Sequence, residues 1–177
     1  MNRLMKLKAE LMKRIRLPGE RPFVCEGSPL DCDIFIVGLN PATPMVERFD
    51  TFWRGEHFAK EKWLACYERA REMRGKKKSS RTRKRLDAIR ERFPSRCLET
   101  NLYWIATESE REFKRLRRKH GLNTDNFYFL LTEIRPRVVV GHGRHVKKAG
   151  ELIRGMDIRF IPADNHLSRI SDESFKM

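Results

Sequence analysis

Four short stretches hold the side chains best suited to chemistry: Gly38-Leu39-Asn40-Pro41, Thr100-Asn101, Gly141-His142-Gly143 and Asn165-His166. An amide offers both a donor and an acceptor, so an asparagine can pair with the edge of a polar ligand. Its oxygen can also accept from a water and orient it, although an amide takes no proton near pH 7. An imidazole can donate to negative charge as it builds on a leaving group. Each residue also has a plainer use. Asn40-Pro41 alone is a turn after a strand. Asn101 can satisfy backbone at a strand end, His166 can sit in a surface loop, and His142 reads as structural. The sharper reading needs Asn40, Asn101, Asn165 and His166 to meet at one place.

Each stretch closes or follows an extended pattern. Residues 33–39, 97–105, 137–143 and 157–166 read as strands, and the unbroken apolar run from Ile34 to Val37 predicts burial on both faces. Helical patterns lie between them. The N-terminal segment places Leu4, Leu7, Leu11 and Ile15 at helical spacing, and residues 56–73 offer Phe58, Trp63, Leu64 and Tyr67 for packing. "LDAIRERF" forms a second helical segment before Pro94, and residues 109–121 a third that stops at Gly121. Asn123 or Thr124 caps the next, whose inner stripe is Phe127, Leu130, Leu131 and Ile134; residues 143–155 form another, and the tail from Leu167 begins a last short helix. "RPFVCEGSPLDC" reads as irregular or weakly extended. The alternation predicts an α/β fold, a three-layer α/β/α arrangement around a central four-stranded parallel sheet, as one domain over residues 1–177. Ligands of such sheets sit beyond the carboxyl ends of the strands, where all four stretches fall.

Charge narrows the choice of partner. Lys and Arg number 39 against 24 Asp and Glu, a net charge of +15. Such an excess repels itself unless an anionic partner relieves it, and nucleic acid does so with release of counterions. The basic residues concentrate in "RGKKKSSRTRKR", residues 74–85, which contains no acid. Lys76, Lys77, Lys78 and Arg81 are its candidate phosphate contacts. The run reads as too charged to bury, as a loop or exposed helix extension at the tip of an inserted helical hairpin over about 56–93. Cys25, Cys32, Cys66 and Cys97 lack metal-ligand spacing, so four thiols are expected and neither metal nor cofactor. No apolar run is long enough to cross a membrane, and the basic N-terminus lacks the apolar block of a secretory signal. The expected location is cytoplasmic, nucleoid-associated in a bacterium, and the expected state a monomer.

"VGLNPAT" after the first strand resembles motif 1 of the uracil-DNA glycosylase superfamily, whose mismatch-specific and single-strand-selective branches carry Gly-x-Asn-Pro. "ETNLYW" resembles their second strand, "RPRVVVGHGRHVKKA" the strand and turn before motif 2, and "NHLSR" motif 2 itself, with Leu167 where a proline is expected. His166 can match the histidine of some branches; alternatively Asn165 matches the asparagine of the mismatch-specific branch, with "LSRIS" as the wedge.

The resemblance implies a DNA glycosylase that flips a base from the stack and cuts its N-glycosidic bond. Asn40 would orient the attacking water, slower than an aspartate there, with Pro41 fixing the turn. His166 would stabilise the leaving base. Leu39, Pro41, Asn101, Asn165 and a stacking aromatic would bind it; Phe52 is preferred over Phe49 for its distance from Asn40. Leu167 would fill the vacated gap, while Ser168, Arg169 and Arg144 would hold DNA backbone. Two rivals stand beside this: a non-catalytic nucleic-acid-binding protein on the same fold, and a nucleotide-processing α/β enzyme whose rim only mimics the motifs.

Overall fold

The structure, a computed structural model, describes residues 2–92, 96–143 and 147–163. The apolar run forms the central strand β2 (Ile34–Gly38), and Phe35, Ile36 and Val37 are essentially inaccessible. It pairs in parallel with β5 (Cys97–Asn101) on one side and with β6 (Val138–His142) on the other. A further parallel strand, β7 (Arg159–Ala163), adds to β6, and β1 (Phe23–Cys25) lies antiparallel along β5, while β3 (Trp53–Arg54) and β4 (His57–Phe58) form a separate two-stranded ribbon. The order is β1-β5-β2-β6-β7, so the sheet has five strands rather than the expected four. The four parallel strands fall where the apolar runs lie; the addition is β1. Three residues are too few to display a period, and Pro22 and Gly27 make the stretch look like loop. Pairing with β5, rather than local propensity, makes it a strand.

The register assigns each strand residue to a face. Ile36 is level with Glu99 and Val140, and Gly38 with Asn101, so Val24, Ile36, Gly38, Glu99, Asn101 and His142 share one face. Phe35, Val37, Leu98, Val139 and Phe160 take the other. That second face joins the main apolar core, with Leu4, Leu7 and Leu11 of α1 (Arg3–Arg14), Phe127, Leu130 and Leu131 of α5 (Asp125–Ile134), and Ala149 of α6 (Lys147–Leu152). Gly150 of α6 packs so closely on the Phe160 ring that an added Cβ would lie 2.8 Å from it. On the first face, α3 (Arg81–Arg92) meets β5 through Arg83 and Glu99. Helices therefore flank both faces of a mixed, mostly parallel α/β sheet. No helix among the described residues is long and apolar enough to cross a membrane.

Local signals fix several ends. Asn2 caps α1 through a bond from the Met5 amide, and Ser109 caps α4 (Glu110–Lys119) through a bond from the Glu112 amide. The Glu112 carboxylate reaches back to the Glu108 amide at 2.9 Å, so both orphan donors are satisfied. α5 ends at Arg135, in the left-handed conformation at φ 60°, just before Pro136.

The basic insertion differs most from expectation. It folds as α2 (Lys60–Glu72) and α3, as a helical hairpin should. Yet α3 takes in the second half of the basic run, and Arg83, Arg85 and Arg90 are buried. The charges of Arg83 and Arg90 are tolerable because acids meet them. Arg83 makes a two-pronged bond to Glu99, 2.6 Å at one prong, and a 3.0 Å bond to Asp87; Arg90 bonds Glu26 at 2.8 Å. Burial alone would lower the Arg83 pKa, but Glu99 and Asp87 raise it above its ordinary value. Asp87 is pushed up by its own burial, against the pull of Arg83.

Candidate functional site

A cavity of about 430 Å³ opens at the carboxyl end of β2, over the first sheet face. Leu39, Asn40, Pro41 and Asn101 all line it, so four of the residues singled out in the sequence do meet. His142 joins them at the level of Gly38. The opposite wall comes from the insertion: Trp63, Tyr67 and Arg71 of α2, Thr82, Arg83 and Leu86 of α3, and Ser80 between them. The inserted helical hairpin thus lines the cavity with its body as well as bordering it with its basic tip. Glu108 and Ser109, at the start of α4, form the remaining rim.

The Asn40 side chain is held in one orientation. Its Nδ2 donates to Thr107 Oγ1 at 2.8 Å, to the Pro41 carbonyl at 3.1 Å and to the Ile105 carbonyl at 3.4 Å. Carbonyl oxygens only accept, so the amide cannot be turned over without facing oxygen to oxygen. Oδ1 is left as the amide atom that can accept. The backbone reinforces this: the amides of Leu102, Tyr103 and Thr107 donate to the carbonyls of Gly38, Leu39 and Pro41 at 3.0, 3.0 and 2.9 Å. β5 therefore stops at Asn101, short of the expected 105, because the chain beyond it is spent on the Asn40 loop.

Gly38 explains the break in the apolar run. A Cβ there would lie 2.8 Å from Asn101 Oδ1 and 3.2 Å from the His142 ring. Any side chain at 38 would have to displace the Asn101 amide and press on the His142 imidazole, which close over the end of β2.

Other expected site residues fall elsewhere. Phe52 is not brought to the cavity; it is 2% exposed and packs against Phe58, beside Phe23, Phe49 and Trp53 in an aromatic cluster. Phe49 is in the same cluster. Lys76, Lys77, Lys78 and Arg81 are exposed and none lines the cavity, but they border the wall that Arg71, Ser80 and Arg83 build. Lys76 and Lys78 already meet Glu108 and Glu72, at 3.1 and 3.6 Å. The hydrogen bonds from Lys76 and Arg74 hold the Glu108 carboxyl below its ordinary range. Arg144, Asn165, His166, Leu167, Ser168 and Arg169 lie outside the described residues.

Several cavity residues carry little or no sign in the sequence. Thr107 has none, because its partner is 67 residues away. Glu99 does carry a signal, a lone acid inside an apolar strand. Arg21 looks like one more surface charge. It lines the cavity, and its guanidinium lies over the Trp63 ring, 5.1 Å from the centroid. Burial pulls its pKa down to about 10 against the pull of Glu99, so it remains a cation at neutral pH. Burial also pushes the Cys97 thiol up to about 11 and raises Cys25, which makes both poor nucleophiles. Among the described residues, no group of His, Cys, Asp or Glu is arranged to hold a metal ion. No family model matches the chain, and no curated protein is similar to it in sequence.

Proposed function

We propose that the protein is a DNA glycosylase of the uracil-DNA glycosylase kind, which hydrolyses the N-glycosidic bond of uracil or another deaminated base in DNA. One observation carries the reading. Asn40 follows the central strand with its amide nitrogen clamped by three acceptors, and Asn101 stands on the same cavity. The volume, about 430 Å³, lies within the usual range for small-ligand sites.

In this reading the flipped base enters the cavity with its polar edge against Asn101, whose amide supplies one donor and one acceptor. The Asn40 oxygen accepts from a water and aims it at the sugar carbon as the base departs. Asn40 removes no proton; the water becomes acidic only as it adds to the oxocarbenium-like sugar, and its proton passes to solvent or to the departed base anion, which took the electron pair of the broken bond. The departing base gathers negative charge, and donors on the cavity wall stabilise it. The +15 net charge brings the polyanion to the site.

The test uses single- and double-stranded oligonucleotides carrying uracil, hypoxanthine or xanthine, followed by alkali. Strand breaks that fall about a hundredfold in Asn40→Ala are expected, the usual cost of losing a positioning group. Salt-sensitive binding with no breaks on any substrate would favour the non-catalytic binding protein. Neither breaks nor binding would favour the nucleotide enzyme.

A further inference from the structure

The cavity is longer than its asparagine end. Opposite Asn40 and Asn101 it runs under α2 and α3, where Arg21, Arg71 and Arg83 line one region with the Ser80 and Thr82 hydroxyls. Three guanidinium groups on one wall need three partners. Arg83 has Glu99 and Asp87. Arg71 gives its Nε to the Lys77 carbonyl at 2.6 Å and stacks on Tyr67, which leaves its charge unmatched by a carboxylate.

Arg21 has the least. Among the described residues, its guanidinium donates no hydrogen bond and no carboxylate lies within ion-pair distance. The neighbouring acid, Glu20, is occupied with the Arg16 and Leu17 amides at 2.7 and 3.2 Å. The backbone at Arg21 is fixed: its amide donates to the Trp104 carbonyl at 2.9 Å, and the Pro22 carbonyl accepts from Thr100 Oγ1 at 2.6 Å. Arg21 is thus a half-buried cation on the cavity wall, drawn to Glu99 across a distance, whose five donors meet no hydrogen-bond partner among the described residues. Beside it Trp63, 1% exposed, keeps an indole N–H with no hydrogen-bond partner among the described residues. A guanidinium fork matches the oxygens of a phosphate better than any other common biological anion except a carboxylate.

We propose that this end of the cavity is a phosphate subsite, in which Arg21, assisted by Arg71, holds a phosphate of the nucleotide whose base lies against Asn40 and Asn101. The identity of the nucleotide rests on the glycosylase reading; the phosphate itself does not. Two sources share the chemistry, the diester of a DNA strand and the monoester of a free nucleotide.

Calorimetric titration of the full chain tests it with deoxyuridine, deoxyuridine 5′-monophosphate and a uracil-centred trinucleotide, alongside a trinucleotide whose 5′ linkage is a neutral methylphosphonate. At least one phosphate-bearing ligand should bind tenfold or more tighter than deoxyuridine. Arg21→Gln should cut that preference to about twofold while leaving deoxyuridine itself unchanged, and Arg21→Lys should recover part of it. Loss on methylphosphonate substitution assigns the phosphate to a strand; preference for the monophosphate assigns it to a free nucleotide. Inorganic phosphate should raise the melting temperature of the wild type and not of Arg21→Gln. Should that shift persist while no base is ever excised, the subsite stands and the glycosylase reading falls. Equal affinity for phosphorylated and unphosphorylated ligands, or a preference that Arg21→Gln leaves intact in a folded protein, overturns the subsite whatever the excision assay gives.

Discussion

Asn40 shows how a side chain can be fixed by what it must not face. Its nitrogen is met by Thr107 and two carbonyls, so an aspartate there would set an oxygen against two oxygens. Asn40 is half-buried, so Asn40→Asp should lower stability by about 1 kcal/mol, the low end of the cost of an acceptor left facing acceptors. Chemical denaturation at pH 7 measures this, and an unchanged midpoint would mean that the clamp is not formed. The asparagine is legible in the sequence because Gly38-Leu39-Asn40-Pro41 interrupts an apolar run. Its partner is not, since nothing local ties Thr107 to Asn40. Phe52 shows the opposite failure. Nearness along the chain suggests a stacking ring, but direction is set by Phe58, Phe49 and Trp53, which gather it into the core.

At the scale of elements, the decisive contact is α3 against β5. Arg83 and Glu99, with side chains 4% and 9% exposed, form a buried pair. Removing one partner strands the other charge. Glu99→Leu should cost about 3–5 kcal/mol, as should Arg83→Met, whereas the two changes together should cost far less than the sum of the singles. Urea unfolding of the four proteins completes the cycle, and additive effects would sink the coupling. The alternation of strands and helices is readable because each period repeats over several residues. The burial of Arg83, Arg85 and Arg90 is not, because a charge run discloses nothing of acids placed 16 or more residues away. Asp33 makes a second such link. The hydrogen bond from Arg96 holds its carboxyl below the ordinary value, and its carbonyl accepts from the Arg137 and Val138 amides at 2.8 and 3.0 Å. A carboxyl depressed in the folded state stabilises the fold above its unfolded pKa, about 3.9, and that contribution disappears as pH falls through the folded value. Asp33→Asn should therefore weaken the protein at pH 7 and flatten the part of its acid-unfolding curve below about pH 4. A variant as acid-sensitive as the wild type would contradict this.

Across the whole molecule, charge is sorted by depth. Arg83 and Arg90 meet acids inside, while Lys77 and Arg81 stay exposed at the tip beside the cavity. Exposed ion pairs such as Lys78 with Glu72 contribute little to stability and are available for exchange with phosphates. If DNA is the partner, the logarithm of affinity should fall linearly with the logarithm of salt. Lys77→Ala with Arg81→Ala should reduce that slope by about 1.8, close to 0.9 for each duplex phosphate no longer neutralised. A slope that does not change would place the DNA path elsewhere on the surface.

The loop that carries Asn40 is woven to residues 102–107 by the Leu102, Tyr103 and Thr107 amides. It cannot move alone: to shift Asn40, the chain leaving β5 must peel away too. The segment should thus melt with the sheet rather than before it. In native-state hydrogen exchange, these three amides should open together, with protection near that of β5 itself. Exchange as fast as in an exposed turn would show a loop free to rearrange. Slow exchange would mean that the site is poised before any ligand arrives, and that a change in the length of 102–107 reaches Asn40 as directly as a mutation beside it.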